Sequence, residues 1–105
     1  MKYIIEYTDE SKNDLVELDG SQRKIVRKAI EKVSLNPLPK NEGGYGEPLG
    51  NKDNMNLTGL CKIKLLKAGI RIIYKLVREG AIMKIIVIAA RADEEAYKIA
   101  EKRYN

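Results

Sequence analysis

The chain has 105 residues, 44% of them apolar and 33% charged, and a net charge of +5. That length holds one hydrophobic core and excludes a second, and the composition excludes disordered and fibrous architectures. With no histidine and one cysteine, Cys61, the chain also excludes Ser–His and Cys–His nucleophile systems, histidine acid–base chemistry, the common zinc sites and an internal disulfide.

Residues 2–8 alternate enough, with Tyr3, Ile5 and Tyr7 on one side, to predict a short strand. Asp9 is placed to cap a helix over about 9–18 that carries Leu15, Val16 and Leu18. Asp19-Gly20 ends that helix. Ser21 is the next N-cap candidate, and Ile25, Val26, Ala29, Ile30 and Val33 keep helical spacing to near Ser34, which completes a helical hairpin. From Asn36 to about Thr58 three prolines and a series of glycines predict one long loop. Its Gly43-Gly44-Tyr45-Gly46 run follows no strand and opens no helix, which argues against a phosphate-cradling loop.

The C-terminal half carries the positive charge. Residues 1–58 hold 9 Lys/Arg against 10 Asp/Glu, and residues 59–105 hold 11 against 5. Runs 60–66, 71–77 and 82–90 are rich in β-formers and separated by short polar turns, the pattern of an antiparallel meander. A final helix begins near Asp93, whose run Asp93-Glu94-Glu95 suits the positive helix N-terminus better than it suits a bound cation. The expected architecture is α+β in a single domain, 1–105: an N-terminal strand, a helical hairpin, an antiparallel β-meander and a C-terminal helix.

Register decides whether the cations meet. With Lys67 to Ile70 as the first turn, Leu66 faces Arg71, Lys64 faces Ile73 and Lys62 faces Lys75, and the four cations Lys62, Lys64, Arg71 and Lys75 share one face. Cys61, Ile63, Leu65, Ile72, Tyr74 and Leu76 take the other, suited to packing under the helices. Extending the meander puts Met83, Ile85 and Val87 on the core face and Lys84, Ile86 and Ile88 on the basic one. Lys75 and Lys84 are expected to bind RNA phosphates there. Arg91 lies just past the third strand, and the last helix can lay Tyr97 beside the same surface, giving cations for phosphate and an aromatic for an unpaired base.

At these residues the chain resembles the RelE family of bacterial type II toxins, within the RelE/ParE superfamily, over nearly its whole length. The resemblance rests on the order of elements, the Leu49-Gly50 loop, Cys61-Lys62-Ile63-Lys64-Leu65, Gly69-Ile70-Arg71-Ile72-Ile73-Tyr74, and Arg91 followed six residues later by Tyr97. It implies a RelE-like, microbial-ribonuclease-like fold. It implies further a ribosome-dependent mRNA interferase that cuts translated mRNA through the ribose 2′-OH, with no cofactor or metal, and that a cognate antitoxin holds inactive. A cytoplasmic location without a membrane partner is expected instead because no apolar run is long enough to span a bilayer or to form a signal-peptide core. The family's roles fall on Lys62 and Lys64, the latter as general base, on Arg71 as transition-state stabiliser, on Arg91 as proton donor to the leaving oxygen and on Tyr97 as the base-stacking group. ParE-like members share the fold and poison DNA gyrase without cutting RNA. Gyrase inhibition and non-catalytic RNA binding therefore stand as alternatives at the level of sequence.

Overall fold

Residues 2–52 and 54–104 are described by a computed structural model. They run in the order β1 (Ile4–Tyr7), α1 (Asp9–Glu17), α2 (Gly20–Ser34), β2 (Glu47–Lys52), β3 (Met55–Leu65), β4 (Ile70–Val77), β5 (Ile82–Ala89) and α3 (Asp93–Tyr104). The strands form one sheet, ordered β1-β5-β4-β3-β2, in which β1 runs parallel to β5 and every other pairing is antiparallel. The α+β class, the helical hairpin, the meander and the C-terminal helix are as expected.

The caps differ from expectation by one or two residues. Thr8, not Asp9, caps α1 by accepting the Ser11 N–H at 3.0 Å, leaving Asp9 and Glu10 in the first turn where the helix dipole favours them. Asp19, not Ser21, caps α2. Its carboxylate accepts from the Gln22 N–H at 2.8 Å while the Gln22 side chain accepts from the Asp19 N–H at 3.1 Å, a reciprocal capping box.

The expected loop of residues 36–58 is corrected by a 3₁₀ turn at Lys40–Glu42, by β2, and by the first residues of β3. An edge strand tolerates Pro48 because one side of its backbone is free of the ladder, and the register shifts between Pro48 and Gly50. The glycine run serves close packing. A Cβ at Gly44 would overlap the Leu38 backbone, and one at Gly46 would overlap the Tyr74 hydroxyl, which donates to the Pro37 carbonyl at 2.6 Å.

Between β3 and β4 the register pairs Lys64 with Arg71, Lys62 with Ile73 and Leu60 with Lys75, two residues away from the expected pairing. The turn occupies 66–69, with Gly69 at φ 66°. Because the slip is even, every side chain keeps its expected face. In β5 a bulge makes Tyr74 pair with Ile85 but Ile73 with Val87. That extra residue exchanges the expected faces of Val87 and Ile88. Its backbone groups are not orphaned: the Ile86 carbonyl accepts from Arg103 Nη1 and the Ile88 N–H donates to Asp14 Oδ2, both at 3.0 Å.

The sheet is buried on both faces. On one, Leu15 and Leu18 of α1 and Val26, Ile30 and Val33 of α2 pack against Cys61, Ile72, Tyr74, Met83, Ile85 and Ile88. The Cys61 thiol is a core group, its pKa pushed up by burial. On the other face, Ala96, Tyr97 and Ala100 of α3 pack on Leu57, Leu60, Ile73, Ile86 and Val87. The basic face is therefore covered by a helix rather than open, and small Ala96 and Ala100, both fully buried, let that helix approach closely.

Candidate active site

Lys62 and Lys64 alternate along β3, and Arg71 of β4 stands opposite Lys64, so pleat and register place three cations side by side. Like charges so close repel, and burial would raise the cost. Lys62 is nonetheless only 5% exposed. The compensation comes from the first turns of α3, where Asp93 and Tyr97 stand four residues apart and face the same surface. Asp93 Oδ2 lies 3.2 Å from Lys62 Nζ and 3.7 Å from Lys64 Nζ, while Asp93 Oδ1 accepts from Arg71 Nε. Lys62 Nζ also donates to the Tyr97 hydroxyl at 2.7 Å and lies 3.9 Å from Glu47 Oε1 of β2.

These contacts set the protonation states. Burial pulls the Lys62 pKa down, but its hydrogen bonds to Tyr97 and Asp93 and the charge of Glu47 outweigh burial, and the net shift is upward. Lys62 is held as an ammonium. Desolvation likewise pushes Asp93 up, and its bonds from Arg71 and Lys62, with the charge of Lys64, overcome that and hold it below the usual carboxylate range. Asp93 is held ionised. Chemically the arrangement is a receptor for an anion with a carboxylate already in it.

Lys62, Lys64, Arg71 and Tyr97 are thus brought together, with Tyr97 only 7% exposed and its ring in the core under α3. Arg91 is not part of the group. It is exposed at the start of α3, with Nε 3.7 Å from Glu95. Lys75 and Lys84 pair directly across β4 and β5 beneath the other end of α3, where Lys75 Nζ lies 5.3 Å from the Tyr104 ring centroid. Eleven residue steps of helix, roughly 16 Å, separate Asp93 from Tyr104. The three consecutive carboxylates diverge: Asp93 faces the cations, Glu94 pairs with Lys98 and Glu95 with Arg91. Among the described residues no group of three His, Cys, Asp or Glu side chains is arranged to hold a metal ion, and no helix is long and apolar enough to cross a membrane.

Two site residues escape a reading of the sequence. Glu47 does so because its strand is hidden by Pro48 and Gly50. Asp93 was legible in principle: once Tyr97 is laid on the basic face, the residue four positions earlier falls on that face too.

The α3-covered sheet, with its cations on β3 and β4, has the fold of the RelE toxins. A double mutant of the E. coli toxin RelE, solved in the free state, matches with a TM-score of 0.74 and 22% identity over 100% of both chains. RelE in the intact E. coli RelBE toxin–antitoxin complex gives 0.65 and 20%, covering 87% of this chain and 98% of that one. The Mycobacterium tuberculosis toxin–antitoxin complex RelBE2 gives 0.70 and 22%, covering 89% and 95%. No family model and no curated protein matches the chain.

Proposed function

We propose that this protein is the toxin of a type II toxin–antitoxin pair, and that it acts as a metal-independent endoribonuclease on translated mRNA in the ribosomal decoding site. The observation that carries the reading is the convergence of Lys62, Lys64 and Arg71 around one carboxylate on a RelE-type sheet. A cluster of donors aimed at one anion is what stabilisation of a phosphorane-like transition state requires. Solved structures of this fold in complex with antitoxins support a cognate antitoxin protein as partner.

In this reading the ribose 2′-OH loses its proton to the neutral amine of a lysine, O2′ bonds to phosphorus, and the bond to the 5′ oxygen breaks as that oxygen takes a proton from water. The products are a 2′,3′-cyclic phosphate and a 5′-hydroxyl. Lys64 is the better placed base of the two lysines: its side chain is 37% exposed and open to a substrate, whereas Lys62 is buried and held protonated. Lys62 and Arg71 then compensate the charge that develops on the phosphoryl oxygens. Arg91, which stands outside the cation group and pairs with Glu95, would reach the leaving oxygen only once that pair opens, and Lys75 and Lys84 hold backbone phosphates further along the strand. Tyr97 stacks on a base once the first turns of α3 lift.

Toe-printing of a message under translation tests the proposal. Cuts within ribosome-occupied codons, absent without ribosomes and resistant to chelators, are expected. Intact message together with inhibition of purified gyrase would replace this reading with the ParE-like one, and RNA binding without cuts or gyrase inhibition would leave a binding module.

A further inference from the structure

Asp93 does something that capping does not require, and that goes beyond its part in offsetting the buried Lys62 charge. A helix N-terminus is served by any of the three consecutive carboxylates, and Glu94 and Glu95 are turned to solvent, where they make single surface ion pairs. Asp93 alone is turned inward, where it engages Lys62, Lys64 and Arg71 together. Its two oxygens span donors on two strands, as two oxygens of a phosphodiester would. The carboxylate and a phosphodiester carry the same charge and seek the same donors, so they compete for one place.

The rest of α3 fits a helix that can let go at one end. Its C-terminal end is fixed by Arg103, which makes a two-pronged pair with Asp14 at 2.6 and 3.0 Å and a bond to the Ile86 carbonyl. Its N-terminal end is held by Asp93, Ala96 and Tyr97. Ala96 adds little apolar area, and the Tyr97 hydroxyl and the Asp93 carboxylate both lean on Lys62.

We propose that Asp93 is a displaceable internal anion that occupies the place of the substrate phosphate, so that binding of a phosphodiester and release of the first turns of α3 are one event. The substrate class rests on the ribonuclease reading; the displacement does not. Asp93 is a gating residue, acting through the cations it covers, and its release uncovers the Tyr97 ring.

The test compares the parent with Asp93→Asn, Asp93→Glu and Glu94→Gln. Each binds a fluorescent tetranucleotide, made uncleavable by 2′-O-methyl groups, and separately inorganic sulfate, at fixed ionic strength. Asp93→Asn should bind both ligands about tenfold more tightly or better, since it removes a competing unit charge at contact distance. Asp93→Glu should behave as the parent because it keeps the carboxylate, and Glu94→Gln should too, although it changes net charge equally. In the parent, sulfate should speed hydrogen exchange at the Ala96 amide, which bonds the Ala92 carbonyl at 3.1 Å. No gain in Asp93→Asn, an equal gain in Glu94→Gln, or sulfate binding that leaves Ala96 protected would overturn the proposal. A gain for sulfate with no RNA binding in any variant would uphold the displaceable anion and remove the RNA reading instead.

Discussion

Asp14→Ala removes a carboxylate that ties three elements together. In the folded protein Asp14 of α1 takes both prongs of Arg103 from α3 and the Ile88 N–H of the β5 bulge. Both side chains are largely out of water, at 16% and 20% exposed. Breaking one partner out of a buried pair costs about 3–5 kcal/mol, because the other charge is left without compensation. One-fifth exposure lets water reach the guanidinium, and Arg103 keeps its bond to Ile86 and the Glu10 carboxylate 4.0 Å from its Nε, so the lower end applies and about 3 kcal/mol is expected. For a domain of this size that lowers the melting temperature by roughly 12–24 °C. Thermal and urea melts would measure it. The double variant Asp14→Leu, Arg103→Met should recover much of the loss, since it strands no charge. A loss below about 0.5 kcal/mol for Asp14→Ala, the range of an ordinary surface substitution, would refute the argument. So would a double variant as unstable as the two single losses added.

Three further outcomes are expected. Lys64→Arg keeps the charge and the pairing with Asp93 but cannot give up its proton, so single-turnover cleavage at saturating ribosome should fall by roughly 10²–10⁴-fold with little change in ribosome binding. Tyr97→Phe deletes the acceptor for the buried Lys62 ammonium and should cost about 1.5–3 kcal/mol in urea melts, while Tyr97→Ala should lose more stability and, by removing the stacking face, more cleavage. Because pairing depresses the Asp93 pKa in the folded state, its contribution to stability is present above the ordinary carboxyl pKa of about 3.9 and fades as pH falls through the lower folded value. The stability gap between the parent and Asp93→Asn should therefore be constant from pH 7 to about 5 and close in strong acid; a gap that widened on acidification would contradict the assignment.

What the sequence discloses depends on whether a residue marks the phase of its strand. Lys62, Lys64 and Arg71 alternate with apolar neighbours, so their common face is legible even with the register wrong by two, because an even slip moves no side chain across the sheet. The run Ile85-Ile86-Val87-Ile88-Ala89 contains no polar residue to mark the phase. A bulge there leaves no trace in composition, although it decides where Val87 and Ile88 pack and what Asp14 and Arg103 must bond. β2 is obscured for the opposite reason, since Pro48 and Gly50 are turn-formers that an edge strand can carry. The covering of the site was the hardest feature to see. The buried stripe of α3 is built on Ala96, Tyr97 and Ala100, two of them too small to give a strong amphipathic signal.

The parallel pairing of β1 with β5 bears on how the protein is made. β1 is synthesised first, yet its ladder partner emerges only after the hairpin and the rest of the meander. The α1–α2 hairpin is local and can form early, but closing the sheet must wait for contacts across most of the described chain, the slow step in folds of high contact order. Asp93 and Tyr97 follow later still. A nascent chain therefore carries its cations on an unfinished sheet while it is still attached to the ribosome that is making it.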